Sequence, residues 1–275
     1  PRALGDRCLA PGRGSVLQPG WHGEADLFYL TSEPGSVLQT LVRHNLTTGE
    51  QEAVVKDSIF AFTVHPSARY VVYTSQPKPG DKTIEKVLKV RALSAHGRGA
   101  AGAQIRVDLP GLPGFPAFDP LGEYLYFSQY LEDSNGDGRI NGNDHSVVFR
   151  IVANNLTGSD ELRVAEQLTT FEQDCSYLHP TREKLYLTCA SRDNLDVYAL
   201  PREGVVPTGW DVETLEEAYR VSRSVSERSL LLNVMRFRFS GYQSAETLER
   251  MVSAYIVADE FGAASYYLNH LIEGE

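Results

Sequence analysis

Twelve consecutive residues, 133–144, concentrate the side chains of this chain that are best suited to binding a metal ion. Carboxylates and amides alternate there with other residues, and a glycine stands at the sixth position. Calcium is a hard cation that takes about 6–8 oxygen ligands in flexible geometry. Gly138 allows the sharp turn that such a loop needs, which residues with a Cβ adopt only at a cost. The predicted ligands are Asp133, Asn135, Asp137, the carbonyl oxygen of Arg139, Asn141 through a water, and Asp144.

The spacing of these ligands resembles the EF-hand loop, and more closely the dockerin-like and thrombospondin-like loops in which Asp replaces the final Glu. The resemblance implies a calcium ion closed in by Asp144, whose shorter side chain leaves the affinity and the selectivity over magnesium open. The alternative is an Asx- and Gly-rich turn without an ion. The flanking segments 124–128 and 146–152 are aromatic and β-branched, which predicts strands instead of EF-hand helices. The loop is therefore expected to rigidify a long hairpin connection.

Length, composition and charge limit the classes of protein to consider. The chain has 275 residues, is 42% hydrophobic and carries a formal net charge of −10. This length suffices for one large domain or two smaller ones. The acidic balance disfavours nucleic acid as a partner, because phosphates bind basic surfaces. The sequence contains no run of about 18 apolar residues, so no membrane-spanning helix is predicted. Because the chain starts at Pro1 without an apolar signal segment, it is interpreted as a mature or excised piece of a longer protein.

The three cysteines are Cys8, Cys175 and Cys189. A hairpin centred on residue 182 would place Cys175 directly opposite Cys189, which favours a disulfide between them. Two small buried thiols are the alternative. A disulfide and a calcium loop together favour an extracytoplasmic location, which is periplasmic, secreted or cell-surface, since cytosolic disulfides are rare. Cys8 follows no apolar run and is not interpreted as a lipid-anchor site.

One pattern occurs three times: a strand-like run ends in proline and, after a short polar turn, an apolar strand follows. The prolines are Pro66, Pro120 and Pro180. Three or four strands in each repeat, joined by short turns, are typical of propeller blades, and inserted loops lengthen the repeat beyond the usual ~40–45 residues. The predicted strands cover residues 27–30, 37–43, 59–64, 70–75, 87–93, 104–109, 115–120, 124–128, 146–152, 174–180, 184–189 and 195–200.

The repeat resembles the WD40-like (PD40-type) unit of TolB-like β-propellers, whose usual form is Ser-Pro-Asp-Gly-Lys before a buried strand. The proline and the apolar strand are kept in all three copies, and Gly122 occupies the glycine position in one. The resemblance covers about residues 20–202 and implies a mainly β chain. It implies a complete or partial β-propeller of about four blades within residues 1–204, with a degenerate first blade near residues 22–55 and the calcium loop inserted in another blade.

The composition changes after residue 204, and residues 205–275 are predicted to be α-helical. Helix pairs joined by short turns loosely resemble tetratricopeptide-type hairpins, so a helical hairpin region is expected. Asp211 and Ser226 are predicted to cap two of the helices. The predicted helices span residues 212–219, 226–239, 244–261 and 263–272.

No catalytic motif stands out in the sequence. The chain lacks a Gly-x-Ser-x-Gly elbow, a phosphate-binding loop, a His-Glu-x-x-His pair and a Cys-x-x-Cys pair. His65, Asp119 and His179 precede the three repeat prolines. They are interpreted as polar residues that hydrogen-bond the turn backbone, in preference to a ring of ligands.

These observations favour a non-catalytic, calcium-stabilised propeller scaffold that mediates protein–protein interaction outside the cytoplasm. Its partners would be other proteins or other parts of a larger parent chain. The alternative is a regulatory, substrate-gating propeller of a peptidase-like hydrolase whose catalytic domain lies outside this chain. Carbohydrate binding through exposed aromatic residues is a third hypothesis, for which the sequence contains no specific motif.

Overall fold

The structure, a computed structural model, is mainly β and divides into two compact units, residues 1–105 and 106–275. Each unit carries two consecutive sheets of the propeller-blade type, in which every strand pairs antiparallel with the next strand along the chain. The described residues are 15–76, 87–93, 102–154, 156–157, 162–169, 174–191, 194–201, 211–222, 228, 231–232, 235, 245–257, 264, 268 and 271–272.

The first unit contains two four-stranded sheets, each with its strands in chain order. The first sheet lies where the sequence repeat is degenerate, yet it has four full strands. The strands of this sheet are β1 (Ser15–His22), β2 (Asp26–Ser32), β3 (Gln39–Asn45) and β4 (Gln51–Asp57). The second sheet is formed by β5 (Ile59–Val64), β6 (Tyr70–Ser75), β7 (Val87–Ala92) and β8 (Ala103–Gln104).

The second unit contains one four-stranded and one three-stranded sheet. The candidate calcium loop connects the second and third strands of the four-stranded sheet. That sheet is formed by β9 (Leu112–Phe118), β10 (Tyr124–Tyr130), β11 (Ser146–Val152) and β12 (Glu166–Gln167). The three-stranded sheet is formed by β13 (Cys175–Pro180), β14 (Lys184–Ser191) and β15 (Asn194–Pro201).

Within each unit the first sheet packs against the second through apolar side chains. In the first unit Phe28, Leu30 and Leu41 cluster with Val71 and Tyr73 of the next sheet. In the second unit the contacts have the same form, because Tyr126 and Val148 cluster with Leu185, Leu187 and the two cysteines. Burying one such side chain stabilises the folded state by roughly 1.5–3 kcal/mol, so these clusters supply much of the stability of each unit.

The turn that contains the repeat proline is held by hydrogen bonds in both four-stranded sheets that carry it. The backbone N–H of Ser67 donates to Nδ1 of His65 at 3.2 Å. Asp119 accepts hydrogen bonds at Oδ1 from the N–H groups of Glu123 at 2.7 Å and Tyr124 at 3.0 Å. The interpretation of His65 and Asp119 as turn-stabilising residues is therefore confirmed.

A buried polar network joins the two sheets of the first unit. Asp57, at the end of β4, accepts hydrogen bonds at Oδ2 from Lys89 Nζ at 2.7 Å and from the Tyr73 hydroxyl at 3.1 Å. Its other oxygen accepts from the N–H of Ser58 at 2.9 Å. Burial raises the pKa of Asp57, but these hydrogen bonds and the charge of Lys89 outweigh burial and hold the pKa below its usual value.

Two helices are described, α1 (Val212–Val221) and α2 (Ala245–Val257). Asp211 caps α1 by accepting a hydrogen bond from the N–H of Thr214 at 2.9 Å, as predicted. Helix α2 lies within the predicted span 244–261. The predicted helices 226–239 and 263–272 fall largely outside the described residues, as does the predicted boundary near residue 204, so the helical hairpin region remains a prediction. No described helix is both long enough and apolar enough to cross a membrane.

The strands predicted from the sequence match the structure to within a few residues, with one clear exception. A strand was predicted over residues 104–109, but β8 ends at Gln104. Val107 forms a single parallel bridge with Arg163 instead. This stretch lies where the chain passes from the first unit to the second, so it leaves the sheet that it was predicted to extend.

Replacing Ala68 with glycine should stabilise the protein. Ala68 has a φ of 51°, and the equivalent residue of the next repeat, Gly122, has a φ of 70°. Left-handed backbone costs a non-glycine residue roughly 1–2 kcal/mol, part of which is offset because glycine makes the unfolded chain more flexible. Ala68→Gly should therefore raise the free energy of unfolding by about 0.5–1 kcal/mol in urea titrations. Gly122→Ala should lower it by about 1 kcal/mol, and equal effects of the same sign would contradict this account.

Asp57→Asn should remove part of the pH dependence of stability. Because the pKa of Asp57 is lowered on folding, its contribution is fully present above the unfolded pKa and is lost as the pH falls through the folded value. We expect the variant to lose about 2–4 kcal/mol at pH 6, less than the roughly 3–5 kcal/mol of a fully buried ion pair because Lys89 is partly exposed, and to lose less at pH 3. Urea unfolding at both pH values measures this, with the exposed Glu33→Gln as control. An equal loss at both pH values would contradict the ionic role.

Candidate calcium loop

The loop of residues 131–145 starts and ends at the last paired residues of the two flanking strands, which we call the base of the loop. Strands β10 and β11 are in register up to the pair Tyr130 and Ser146, where the loop starts and closes. The flanking strands confirm that the loop joins two strands and not two EF-hand helices. The loop itself is therefore the only part of an EF-hand-like arrangement that the chain reproduces among the described residues.

The side chain of Asp133 accepts three hydrogen bonds from the backbone of the first half of the loop. Its Oδ1 accepts hydrogen bonds from the N–H groups of Gly136 at 2.8 Å and Asp137 at 3.1 Å. Its Oδ2 accepts from the N–H of Gly138 at 2.6 Å. Gly136 and Gly138 both have left-handed backbone, with φ values of 74° and 78°, which favours glycine. The chain is thus wrapped around the side chain of the first predicted ligand.

The side chain of Asn141 contacts two other predicted ligands. Its side-chain amide nitrogen donates to Oδ2 of Asp137 at 3.2 Å and to the carbonyl oxygen of Arg139 at 3.4 Å. Two predicted ligand oxygens therefore already point at one donor group, which carries partial positive charge. A cation bound by these two oxygens would take the place of that amide group, and Asn141 would then bind through a water or through its own oxygen.

Asp144 is the most buried of the predicted ligands, with 1% of its surface exposed. Its Oδ1 accepts from the N–H groups of Ser134 at 2.8 Å and Asn135 at 3.3 Å, and its Oδ2 accepts from the N–H of Asn141 at 2.7 Å. A buried carboxylate costs several kcal/mol unless such partners compensate it. Asp144 therefore closes the loop by joining its two ends.

The donor set fits calcium through its oxygen chemistry. Across the described part of the chain, no group of three or more His, Cys, Asp or Glu side chains is arranged to hold a metal ion by itself. Asp133, Asp137 and Asp144 therefore do not form such a group, and a calcium site here would also need amide and carbonyl oxygens. Such a mixed oxygen set is typical of calcium and unlike the nitrogen and sulfur ligands of zinc. The loop brings Asp137, Arg139 and Asn141 together directly, and hydrogen bonds of the backbone link Asp133, Asn135 and Asp144 to them.

The base of the loop is tied to the neighbouring sheet. Ser146 donates from its hydroxyl to the carbonyl oxygen of Cys175 at 2.6 Å, and its N–H donates to Oδ1 of Asp174 at 2.9 Å. Burial raises the pKa of Tyr130 to about 12, and the nearby Asp174, Tyr177 and Asp144 contribute to the rise. The tyrosine hydroxyl at the base is therefore neutral at physiological pH.

The structure places Cys175 and Cys189 directly opposite each other in β13 and β14, with their sulfur atoms joined. Their Cα atoms are 4.1 Å apart and both side chains are fully buried. The register matches the predicted hairpin, although β13 contains a bulge between Ser176 and His179.

Several residues important for the loop escaped the sequence analysis. Ser134 donates from its hydroxyl to Asp144 at 3.2 Å and accepts from the N–H of His145 at 2.6 Å. Ser146 and Asp174 link the loop to the next sheet across 28 residues of sequence. The sequence offers one local indication of the role of Ser134: it is a short polar residue between two predicted ligands.

Comparisons with known proteins give no family. No family model matches the chain, and no curated protein matches it. Among solved structures, it is similar to a prolyl endopeptidase over 72% of this chain, with 11% identity and a TM-score of 0.47. It is similar to the tricorn protease over 93%, with 13% identity and a TM-score of 0.44. For TolB from Acinetobacter baumannii the values are 71%, 12% and 0.30.

The chain spans 28% and 33% of the lengths of the two proteases and 56% of the length of TolB. Because all these TM-scores are below 0.5, the assignment of propeller-type blades depends on the strand order and register described above.

Removing the disulfide should weaken the second unit. The bond closes a loop of 14 residues, for which the loss of chain entropy in the unfolded state corresponds to roughly 3 kcal/mol. Cys175→Ala combined with Cys189→Ala should lower the free energy of unfolding by about 2–4 kcal/mol in urea. Adding reductant should destabilise the unmodified chain similarly and leave the double variant unchanged. A destabilisation of the double variant by reductant would contradict this assignment.

Substitutions at Asp144 and at Asp137 should differ in their effect on the stability of the calcium-free protein. Asp144→Asn loses a buried acceptor that joins the ends of the loop, so it should destabilise the protein by about 1–3 kcal/mol in chelator. Asp137→Asn changes an exposed side chain and should shift stability by less than about 0.5 kcal/mol. Thermal unfolding in chelator compares the two variants. The reverse order would mean that Asp144 does not close the loop.

Proposed function

We propose that this chain is a non-catalytic propeller scaffold that binds protein partners outside the cytoplasm and whose long loop is stabilised by calcium. The observation that carries the proposal is the loop geometry around Asp133 and Asp144. In it, backbone N–H groups already fold the chain around these two carboxylates. A loop held in this way loses less conformational entropy when an ion binds, which favours binding.

Charge supports the presence of a cation in the loop. Asp133, Asp137 and Asp144 place three carboxylates within twelve residues, and the whole chain has a net charge of −10. Within the described loop, the groups that donate hydrogen bonds to these carboxylates are neutral N–H, hydroxyl and amide groups. A divalent cation bound in the loop would offset part of this negative charge.

The disulfide supports the proposed location. Cys175 and Cys189 are paired inside the second unit and are shielded from solvent. Structural disulfides persist in oxidising compartments and are rare in the cytosol. Calcium at a concentration that fills a loop closed by Asp is also available outside the cytoplasm, so both features support the same compartment.

Calcium should stabilise the protein, and Asp137 should be required for this effect. A ligand that binds only the folded state adds RT ln(1 + [L]/Kd), or about 2.7 kcal/mol at a hundredfold excess over Kd. Calorimetric titration should detect the ion, and the melting temperature should be higher in calcium than in chelator. Asp137→Ala should abolish both effects and loosen residues 130–146 without unfolding the sheets.

The control is Asp26→Ala, which removes a carboxylate outside the loop and should keep the difference in melting temperature between calcium and chelator, whatever its effect on stability through the lost Arg43 ion pair. Magnesium should be tested in parallel, because the short Asp144 leaves the ion selectivity open. The proposal fails if the unmodified chain melts at the same temperature in millimolar calcium and in chelator, or if Asp137→Ala binds calcium with unchanged affinity.

A further inference from the structure

One sheet face of the last described blade is exposed where the other blades are buried. The four sheets can be matched residue by residue, because a residue at or next to the end of each first strand (Trp21, Val64, Phe118 or Pro180) pairs with a defined residue of the second strand. These second-strand residues are Leu27, Val71, Leu125 and Leu185. The residue after each of them therefore occupies an equivalent position, and so does its partner on the third strand.

The second-strand position is held by Phe28, Val72, Tyr126 and Tyr186. The first three are at most 1% exposed, whereas Tyr186 is 38% exposed. Two residues further along the second strand, the third-strand partners are Leu41, Leu88, Val148 and Val197. The first three are at most 3% exposed, whereas Val197 is 73% exposed.

The structure shows what covers these positions in the other blades of the same unit. In the second unit, Tyr126 and Val148 pack against Leu185 and Leu187 of the following blade. In the first unit, Phe28 and Leu41 pack in the same way against Val71 and Tyr73 of the following blade. This side of a blade therefore binds the next blade, through the second strand of that blade.

On the last blade the same side forms an exposed apolar patch, the open face, which consists of Tyr186, Val197 and Leu195. Leu195 lies two residues before Val197 on β15, so both point to the same side of the sheet, and it is 71% exposed. The opposite side of this blade is buried through Leu185 and Leu187. Tyr186, Val197 and Leu195 therefore lie on the side that binds a following blade in the other sheets.

A second copy of this chain is a poor occupant for the open face. To cover it as the other faces are covered, a copy would need an accessible second-strand surface of the type formed by Leu185 and Leu187. In all four described blades these positions are at most 4% exposed. They are Leu27, Tyr29, Val71, Tyr73, Leu125, Phe127, Leu185 and Leu187.

We propose that the open face binds a further antiparallel propeller blade, whose strands are not among the fifteen described here. That blade would present alternate aliphatic or aromatic residues of its second strand to Tyr186, Val197 and Leu195. Burial of these side chains would supply the free energy of association, as it does between the described blades. This inference does not depend on calcium binding and concerns a different surface.

A matched pair of lysine substitutions tests whether the open face is unused in the isolated chain. Val197→Lys should leave the melting temperature of the 275-residue chain almost unchanged, because the side chain faces water. Val148→Lys, at the equivalent buried position, should lower it strongly or prevent folding. Equal damage from both substitutions would show that the open face is already covered, and the proposal would fail.

Photocrosslinking identifies the occupant. A diazirine amino acid of leucine size is placed at position 197 in the protein expressed from its own gene in its own cells. The same amino acid at position 152, an exposed valine at the end of β11, is the control. We expect several-fold more crosslinking from position 197, to a strand-forming segment outside residues 15–201 that mass spectrometry identifies. Crosslinks to another copy of residues 15–201, crosslinks to a helical segment, or a yield no higher than that from position 152 would each overturn the proposal.

Discussion

The second strand of each sheet imposes the constraint on which the described fold depends. It is hydrogen-bonded on both edges, and in three of the four sheets at least four consecutive residues are buried on both faces. β6 is the extreme case, because all six residues from Tyr70 to Ser75 are buried. A strand enclosed on both faces needs an unbroken apolar sequence, in place of the alternation of a half-exposed strand. A polar turn precedes each second strand, and in three of the four sheets that turn contains the repeat proline.

That requirement explains how much of the fold could be predicted. Strands that follow a repeat proline are continuous apolar runs, so their positions were correct to within a few residues. β1 was missed because its residues are largely exposed and include Pro19 and Gly20, which leave no apolar pattern to read. β4 was missed because its buried centre, Val54 and Val55, is only two residues long and has polar neighbours. The number of strands in a blade depends on packing partners that are distant in sequence.

All six proposed ligands lie in one short loop, and whether they bind an ion stays a prediction. Its hydrogen bonds are local, and spacing alone brings Asp133 to the N–H groups of residues 136–138. The contacts that anchor the loop are not local. Ser146 reaches Asp174 and Cys175 only because β11 and β13 belong to neighbouring sheets, which no motif in the sequence indicates.

A row of bonded and paired residues connects the candidate calcium loop to the rest of its unit. Ser146 ends the loop and hydrogen-bonds the carbonyl group of Cys175. Cys175 is bonded covalently to Cys189, and Cys189 pairs with Asp196 of β15. Asp196 lies between Leu195 and Val197, the residues of the open face. The disulfide thus fixes the register of β13 with β14, the strand that carries Tyr186 of the open face, and the loop is attached to the same row. A blade that binds another blade must hold its strands in register before contact, because ordering them on binding would reduce the affinity.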